Sequence, residues 1–98
     1  MKNLLLAFCL LTPVSLFAEM PNRGICAHRG DKAVFPENTV PAFKSAAEKG
    51  AAMVEMDVQR CATGELVIMH DATVDRTTNG TGKIAELTFA QIRALDAG

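Results

Sequence analysis

The stretch MVEMDV at residues 53–58 alternates apolar and acidic side chains with a period of two. Successive side chains of a β-strand point to opposite faces, so this pattern predicts a strand with Glu55 and Asp57 on one face. The opposite face carries the apolar row Val54, Met56 and Val58. We expect that row to be buried and the two acids to share the inner side of a sheet.

Two further predicted strands flank this stretch, and each of them stops at side chains that can do chemistry. Gly24–Ala27 is a short apolar run followed by His28 and Arg29, and Leu66–Met69 is a continuous apolar run followed by His70. A continuous apolar run indicates a strand that is covered on both faces. The sequence therefore predicts three buried strands with polar side chains at or near their ends.

The segments between and after these strands predict helices. Asn38 or Thr39 can cap a helix that tolerates Pro41 in its first turn and ends near Gly50. Residues 88–91 match a capping box and predict a second helix that runs through about residue 95. The order is strand, helix, strand, strand and helix, and no hairpin-type dipeptide joins the first strands. This order favours a parallel α/β arrangement.

The carboxyl ends of parallel strands converge on the ligand site, so the predicted fold brings three sets of side chains together. Glu55 and Asp57 on one inner face would repel each other and lose hydration, and a hard divalent cation relieves both costs. Histidine titrates near neutrality, which makes His28 and His70 candidates for proton transfer. Arg29 could hold a phosphate through two parallel hydrogen bonds.

Each of these interpretations has an ordinary alternative. The two acids could face solvent on an edge strand, and either histidine alone could be a structural residue. Arg29 could instead form a salt bridge to Glu37 or Asp31. The joint placement at three strand ends favours the functional interpretation over these alternatives.

The composition narrows the class of protein further. The chain has 98 residues, of which 49% are hydrophobic and 21% are charged, which fits one small globular domain at most. The net charge is −1 and the aromatic residues are five Phe, with no Trp or Tyr. Because a basic footprint and a stacking surface are both missing from the sequence, we expect no nucleic-acid partner.

Residues 1–18 have the layout of a secretory signal peptide, with Lys2 before the apolar run 4–11 and Ala18 before a polar stretch. We therefore expect an exported protein, periplasmic or secreted, whose domain occupies residues 19–98. The apolar run is short for a bilayer span, so no stable span is expected after cleavage. An uncleaved N-terminal anchor is the alternative.

Cys26 and Cys61 remain after removal of that signal. An oxidising compartment would permit a disulfide between them. Nothing in their spacing requires one, and we favour Cys26 as a small buried strand residue and Cys61 as a loop thiol.

Five ordered strings of the sequence resemble the N-terminal motifs of the glycerophosphodiester phosphodiesterases. They are AHRG at 27–30, PENT at 36–39, EMDV at 55–58, HD at 70–71 and RTTNGTG at 76–82. Several motifs in order and at matching spacing are far more specific than any one of them. The resemblance covers roughly residues 25–98, and the signal peptide makes the chain similar to the exported branch of that family.

This resemblance implies a TIM barrel with a divalent metal, Ca²⁺ or Mg²⁺. It implies hydrolysis of small-molecule glycerophosphodiesters such as glycerophosphocholine to glycerol 3-phosphate and an alcohol, in lipid and glycerol metabolism. By the same resemblance, Glu55 and Asp57 match metal ligands, His28 the proton acceptor, His70 the proton donor and Arg29 a phosphate contact. In the family's usual mechanism, the glycerol 2-hydroxyl attacks phosphorus and water then opens a cyclic phosphate.

The length of the chain bears on that expectation. A TIM barrel typically needs about 250 residues. We therefore expect the α/β fold of this chain to be the N-terminal portion of a TIM (β/α)8 barrel, incomplete in these residues. Two alternatives to the phosphodiesterase stay open, namely a truncated, catalytically inactive remnant or small binding piece, and a sphingomyelinase D-like phosphodiesterase.

Overall fold

The computed structural model describes residues 22–98. Its elements in chain order are β1 Cys26–His28, α1 Val40–Glu48, β2 Met53–Glu55, β3 Val58–Arg60, β4 Leu66–Ile68, a 3-10 helix Ile84–Glu86 and α2 Phe89–Arg93. The signal peptide predicted for residues 1–18 lies outside the described residues. Among residues 22–98, none of the helices has both the length and the apolar character needed to cross a bilayer.

Strands β1 and β2 form a parallel pair that is connected through α1. The register places Cys26 opposite Met53 and His28 opposite Glu55. Parallel strands need a crossover connection, and the helix supplies it. The predicted strand–helix–strand unit is therefore confirmed, and its register brings His28 and Glu55 side by side at the carboxyl ends of the two strands.

Helix α1 begins where the sequence predicted. Thr39 is the N-cap, its Oγ1 accepts a hydrogen bond from the Ala42 amide at 3.4 Å, and Pro41 stands in the first turn. Ala42 and Ala46 are the buried residues of the helix. These small side chains allow the helix backbone to lie close to the loop that follows β1.

That close approach depends on Gly30. Its φ is +81°, and a Cβ at this position would lie 2.7 Å from the carbonyl carbon of Ala42 and 2.8 Å from the Ala42 Cβ. These atoms belong to the helix backbone or are fixed to it, so a larger residue would push the whole helix away from β1. Gly30 therefore holds the loop after His28 and Arg29 against α1.

We expect Gly30→Ala to lower the free energy of unfolding of the full-length protein by about 2 kcal/mol or more, through backbone strain and the clash with Ala42. Chemical denaturation measures this loss. Gly64→Ala is the matched control, because Gly64 also has a positive φ, +94°, but nothing lies within 4 Å of its added Cβ. Equal losses in the two variants would contradict the role of the close approach.

The predicted strand over residues 53–58 is interrupted, which corrects the sequence-based expectation. Strand β2 ends at Glu55 and β3 begins at Val58. Between them the Asp57 amide donates to the Asn38 Oδ1 at 3.3 Å instead of to a neighbouring strand. A side chain outside the sheet thus replaces the ladder partner, and local periodicity carries no signal for such a contact.

The parallel arrangement predicted for the next strand is wrong. Strands β3 and β4 form an antiparallel hairpin in which Val58 lies opposite Ile68 and Arg60 opposite Leu66. The connection is closed by the Cys61 amide, which donates to the Glu65 carbonyl at 3.0 Å. A longer loop with a glycine at positive φ makes a hairpin without the two-residue dipeptide on which the prediction relied.

The core lies under this hairpin. Its buried members are Cys61, Val67, Val74 and Ile84, and side chains from the C-terminal segment pack against them. Three stretches are less buried than predicted, namely residues 24–27, the row 54, 56 and 58, and residues 66–69. Their exposed side chains are Ile25, Met56, Val58, Ile68 and Leu66, and Leu66 is exposed by 63%. No element among residues 22–98 covers these side chains.

Two smaller expectations have mixed outcomes. The capping box is confirmed, since Thr88 and Gln91 exchange side-chain and backbone hydrogen bonds, but α2 ends at Arg93 instead of about residue 95. Both described cysteines are free thiols, as favoured, and they lie in a strand and in a loop as expected, but the expected burial of Cys26 is wrong. Cys26 is exposed in β1 and Cys61 is buried after β3.

Candidate active site

The ends of β1 and β2 bring the first two motifs into contact. His28 Nε2 lies 3.8 Å from Glu55 Oε2. The Arg29 amide donates to the same carboxylate oxygen at 3.1 Å and to the Glu55 carbonyl at 3.0 Å. These contacts follow from the parallel register, and they fix the Glu55 carboxylate beside the imidazole of His28.

Asp57 joins this group through Asn38. The Asn38 Nδ2 donates to Asp57 Oδ2 at 3.0 Å, and Asn38 itself has a φ of +57°. The Asn38 hydrogen bond is the main cause that lowers the pKa of Asp57, and the positive charges that His70, Arg29 and His28 can carry lower it further. Side chains at the ends of the first and third predicted strands therefore help to keep the Asp57 carboxylate of the second one ionised.

The guanidinium of Arg29 lies between two carboxylates and is only 15% exposed. Its Nη1 donates to Glu37 Oε1 at 3.4 Å, so the salt bridge to Glu37 considered from the sequence does form. The one to Asp31 does not, because Asp31 binds Lys49 at 2.6 Å. Arg29 Nε lies 3.3 Å from Asp57 Oδ2, but its N–H does not point at that oxygen and has no hydrogen-bond partner among the described residues. A buried donor without a partner leaves room for a ligand oxygen.

A second arginine, Arg76, connects this group to His70. Arg76 Nη2 donates to Glu37 Oε1 at 2.5 Å, and Arg76 Nε and Nη2 donate to the two carboxylate oxygens of Asp71 at 2.8 and 3.1 Å. Asp71 Oδ1 in turn lies 2.9 Å from His70 Nδ1. The hydrogen bonds from Arg76 and then from His70 hold the pKa of Asp71 far below its usual value.

Four linking residues had at most a minor place in the sequence reasoning, which considered Glu37 as a possible salt-bridge partner of Arg29 and gave the others no role in the site. They are Glu37, Asn38, Asp71 and Arg76. The available signal was that three of them are charged and that all four stand in loops at the ends of predicted elements, where binding residues concentrate. Their partners are far apart in sequence, so nothing local could identify the pairs.

The contacts of the two histidines favour opposite tautomers of the neutral ring. Lys32 Nζ lies 3.2 Å from His28 Nδ1, and an ammonium can only donate, so a neutral His28 in this contact carries its proton on Nε2. Asp71 can only accept when ionised, so a neutral His70 carries its proton on Nδ1. These protons are assigned from the hydrogen-bond partners.

The acidic side chains fit a divalent cation in part. Glu55 and Asp57 are partly exposed carboxylates that both contact Arg29, and hard cations prefer such oxygen ligands. Within residues 22–98, however, no cluster of three or more histidine, cysteine or acidic side chains is arranged to hold a metal. Two carboxylates supply only part of the six to eight ligands that Ca²⁺ usually takes.

Comparison with known proteins identifies one family. The model of the glycerophosphoryl diester phosphodiesterase family matches residues 28–98. A glycerophosphodiester phosphodiesterase of Caldanaerobacter subterraneus subsp. tengcongensis is 54% identical over 74 residues, which cover 76% of this chain and 30% of that protein. Glycerophosphodiester phosphodiesterase 1 of Bos taurus is 56% identical over 70 residues, which cover 71% of this chain and 21% of that protein.

Solved structures agree with this match. The glycerophosphodiester phosphodiesterase of Agrobacterium tumefaciens superposes with a TM-score of 0.75 at 45% identity, over 76% of this chain and 32% of that one. An Oleispira antarctica phosphodiesterase in complex with the product sn-glycerol-3-phosphate also gives 0.75, at 39% identity, over 78% and 31%. The chain thus spans about a third of these structures, and the expected N-terminal portion of a TIM barrel is confirmed.

Proposed function

We infer that this chain, which belongs to the glycerophosphoryl diester phosphodiesterase family, forms part of a site that hydrolyses glycerophosphodiesters to glycerol 3-phosphate and an alcohol. The observation that carries the proposal is the contact of His28 and Arg29 with the carboxylates Glu55 and Asp57. His70 is linked to this group by hydrogen bonds through Asp71, Arg76 and Glu37. The glycerol 3-phosphate bound to the Oleispira relative supports the choice of substrate.

Arg29 suits a phosphate contact because its charge is fixed in place before substrate arrives. Glu37 and Asp57 hold the guanidinium, while the Nε donor keeps no protein partner in the described part of the chain. A phosphoryl oxygen would supply that partner through a charge-assisted hydrogen bond. The contact is stronger in a water-poor site, since Arg29 is largely buried.

The histidines suit proton transfer, with His70 as the donor. A protonated His70 gives its Nε2 proton to the departing alcohol oxygen as the P–O bond breaks, and Asp71 stabilises the charged ring beforehand. His28 would accept the proton of the attacking glycerol 2-hydroxyl, whose oxygen forms the new bond to phosphorus as the bond to the alcohol breaks. This role requires a free lone pair on His28 Nε2. Lys32 must therefore release His28 Nδ1 when substrate binds, so that the ring proton can move there.

Glu55 and Asp57 would hold a divalent cation, Ca²⁺ or Mg²⁺, together with ligands beyond those described. The low pKa of Asp57 keeps this carboxylate ionised and ready to bind a cation. When bound, such an ion supplies polarisation of the phosphoryl oxygens and a fixed position for the glycerol part. We further propose that the protein is exported, which the predicted signal peptide supports, and that it acts in lipid and glycerol metabolism, which follows from the proposed substrate.

The test is hydrolysis of glycerophosphocholine by the full-length protein. We expect a chelator to abolish hydrolysis, and His28→Ala to lower the rate by about 100-fold or more, because general acid–base catalysis contributes about 10²–10⁴-fold. Lys44→Ala is the control, since Lys44 is exposed on α1 and its one ion pair within residues 22–98 is with Glu48, outside the candidate site. Its activity should equal that of the wild type.

Three results would contradict the proposal. Activity that survives both the chelator and His28→Ala would place the chemistry elsewhere. Faster cleavage of sphingomyelin than of glycerophosphocholine would favour the sphingomyelinase D-like alternative. A folded full-length protein without activity on either substrate would favour an inactive remnant.

A further inference from the structure

We propose that Asp71 is a positioning residue that holds His70 with its ring proton on Nδ1, and that Arg76 and Glu37 fix Asp71 for this purpose. The proposal rests on the proposed function, since it deepens the role of His70 as proton donor. It concerns three side chains to which the reaction itself assigns no step.

The contact between His70 and Asp71 needs support from elsewhere in the chain. The two residues are adjacent in sequence and both are partly exposed, and Asp71 Oδ1 lies 2.9 Å from His70 Nδ1. Exposed charged pairs are usually weak and mobile, because water competes and side-chain entropy is lost. By itself this pair would not keep the imidazole in one orientation.

Arg76 supplies the support. Its Nε and Nη2 grip both oxygens of the Asp71 carboxylate at 2.8 and 3.1 Å, which is the two-point geometry that a planar guanidinium matches. The carboxylate plane is therefore fixed, and Oδ1 faces His70. A lysine at this position would keep the charge but lose the fork.

Glu37 completes the network from the opposite side of the site. It accepts from Arg76 at 2.5 Å and from Arg29 at 3.4 Å, and it is only 15% exposed. The same carboxylate thus orients the guanidinium proposed to meet phosphate and the one that fixes Asp71. One hydrogen-bond network therefore positions both Arg29, the proposed phosphate contact, and His70, the proposed proton donor.

The chemical purpose follows from the proton balance at His70. The protonated ring gives its Nε2 proton to the leaving oxygen, which takes the electron pair of the broken P–O bond. The ring that remains is neutral with its proton on Nδ1, and this is the tautomer that an accepting Asp71 stabilises. Asp71 therefore selects the tautomer of the neutral ring that keeps its proton on Nδ1, and it leaves Nε2 as the reacting atom.

The experiment combines kinetics and nitrogen-15 NMR on the full-length protein. When the nitrogen-15 shifts show a neutral His70 ring, we expect its proton on Nδ1 in the wild type. In Asp71→Asn we expect it to shift toward Nε2, with kcat for glycerophosphocholine falling by about 10- to 100-fold, as for lost supporting contacts of metal ligands, and KM nearly unchanged. Arg76→Lys should give the same signature in weaker form, and serves if Asp71→Asn fails to fold.

Asp75→Asn is the matched control. Asp75 is the next carboxylate along the loop, it accepts from the Gly82 amide at 3.0 Å, and an asparagine oxygen can still accept that bond. The control should keep wild-type kcat and the wild-type tautomer of His70.

Two outcomes would overturn the proposal. One is a wild-type His70 proton on Nε2, and another is an unchanged tautomer and kcat in both Asp71→Asn and Arg76→Lys. A wild type that does not hydrolyse glycerophosphocholine would defeat the proposed function instead. In that case the tautomer measurement still decides whether Asp71 positions His70.

Discussion

Asp57→Asn and Glu55→Gln should each lower kcat/KM for glycerophosphocholine in the full-length protein by about 10³-fold, the scale of losing a group that stabilises transition-state charge. Both changes keep the shape of the side chain and remove one negative charge. The local geometry makes the loss specific, because Asp57 contacts Arg29 and Asn38, and Glu55 contacts the Arg29 amide. The oxygen of an isosteric amide can still accept the hydrogen bond from Asn38 or from the Arg29 amide, so the change keeps the local geometry while it removes a charged ligand.

Steady-state kinetics at rising Ca²⁺ or Mg²⁺ measures this effect, and calorimetry measures metal affinity directly. We expect both variants to need a far higher metal concentration for half-maximal rate. In the absence of metal, their melting temperatures should stay near that of the wild type. Glu48→Gln is the control, since Glu48 is an exposed carboxylate on α1. Unchanged metal affinity in both site variants would contradict the assignment of these carboxylates as ligands.

Glu37→Gln should give the largest loss of stability among the site variants, about 2–3 kcal/mol in the free energy of unfolding. Glu37 neutralises Arg29, which is largely buried, and also anchors Arg76. Without this carboxylate, the largely buried Arg29 guanidinium loses one of its two counter-charges, and Arg76 loses one of its own. Urea denaturation of the full-length protein measures the loss, with Glu86→Gln, an exposed acid in the 3-10 helix, as the control.

The pH dependence of the free energy of unfolding tests the role of Glu37 independently. The Arg76 hydrogen bond lowers the pKa of Glu37 in the folded protein, so this acid stabilises the fold above its unfolded pKa of about 4.3. That stabilisation is lost as pH falls through the lowered pKa. Wild-type stability should therefore drop on acidification below about pH 4, and more steeply than in Glu37→Gln. Parallel acid curves for the two proteins would contradict the role of Glu37.

The residues proposed for the candidate site could be picked out from the sequence, whereas the hydrogen bonds that link them could not. Glu55, Asp57, His28, Arg29 and His70 stood out because residue type and position at strand ends are both local properties of the sequence. The parallel unit of β1 and β2 was predictable for the same reason, and its register then places His28 beside Glu55.

The hydrogen bonds that link the site residues were not predictable because they join distant parts of the chain. Arg76 reaches Glu37 across 39 positions, and Asn38 reaches Asp57 across 19. The second of these contacts also breaks the predicted strand, since Asn38 accepts from the Asp57 amide. The β3–β4 hairpin was missed because its turn carries Gly64 at positive φ without a recognisable dipeptide.

The claim that the three motifs form one metal-dependent site is tested most directly by titrating Mn²⁺ into the full-length protein and following its histidine ring signals by NMR. A paramagnetic ion held by Glu55 and Asp57 should broaden the assigned signals of both His28 and His70 at low occupancy. The double variant Glu55→Gln, Asp57→Asn should remove that broadening. Sharp signals from both rings in the wild type, or equal broadening in the double variant, would contradict the claim.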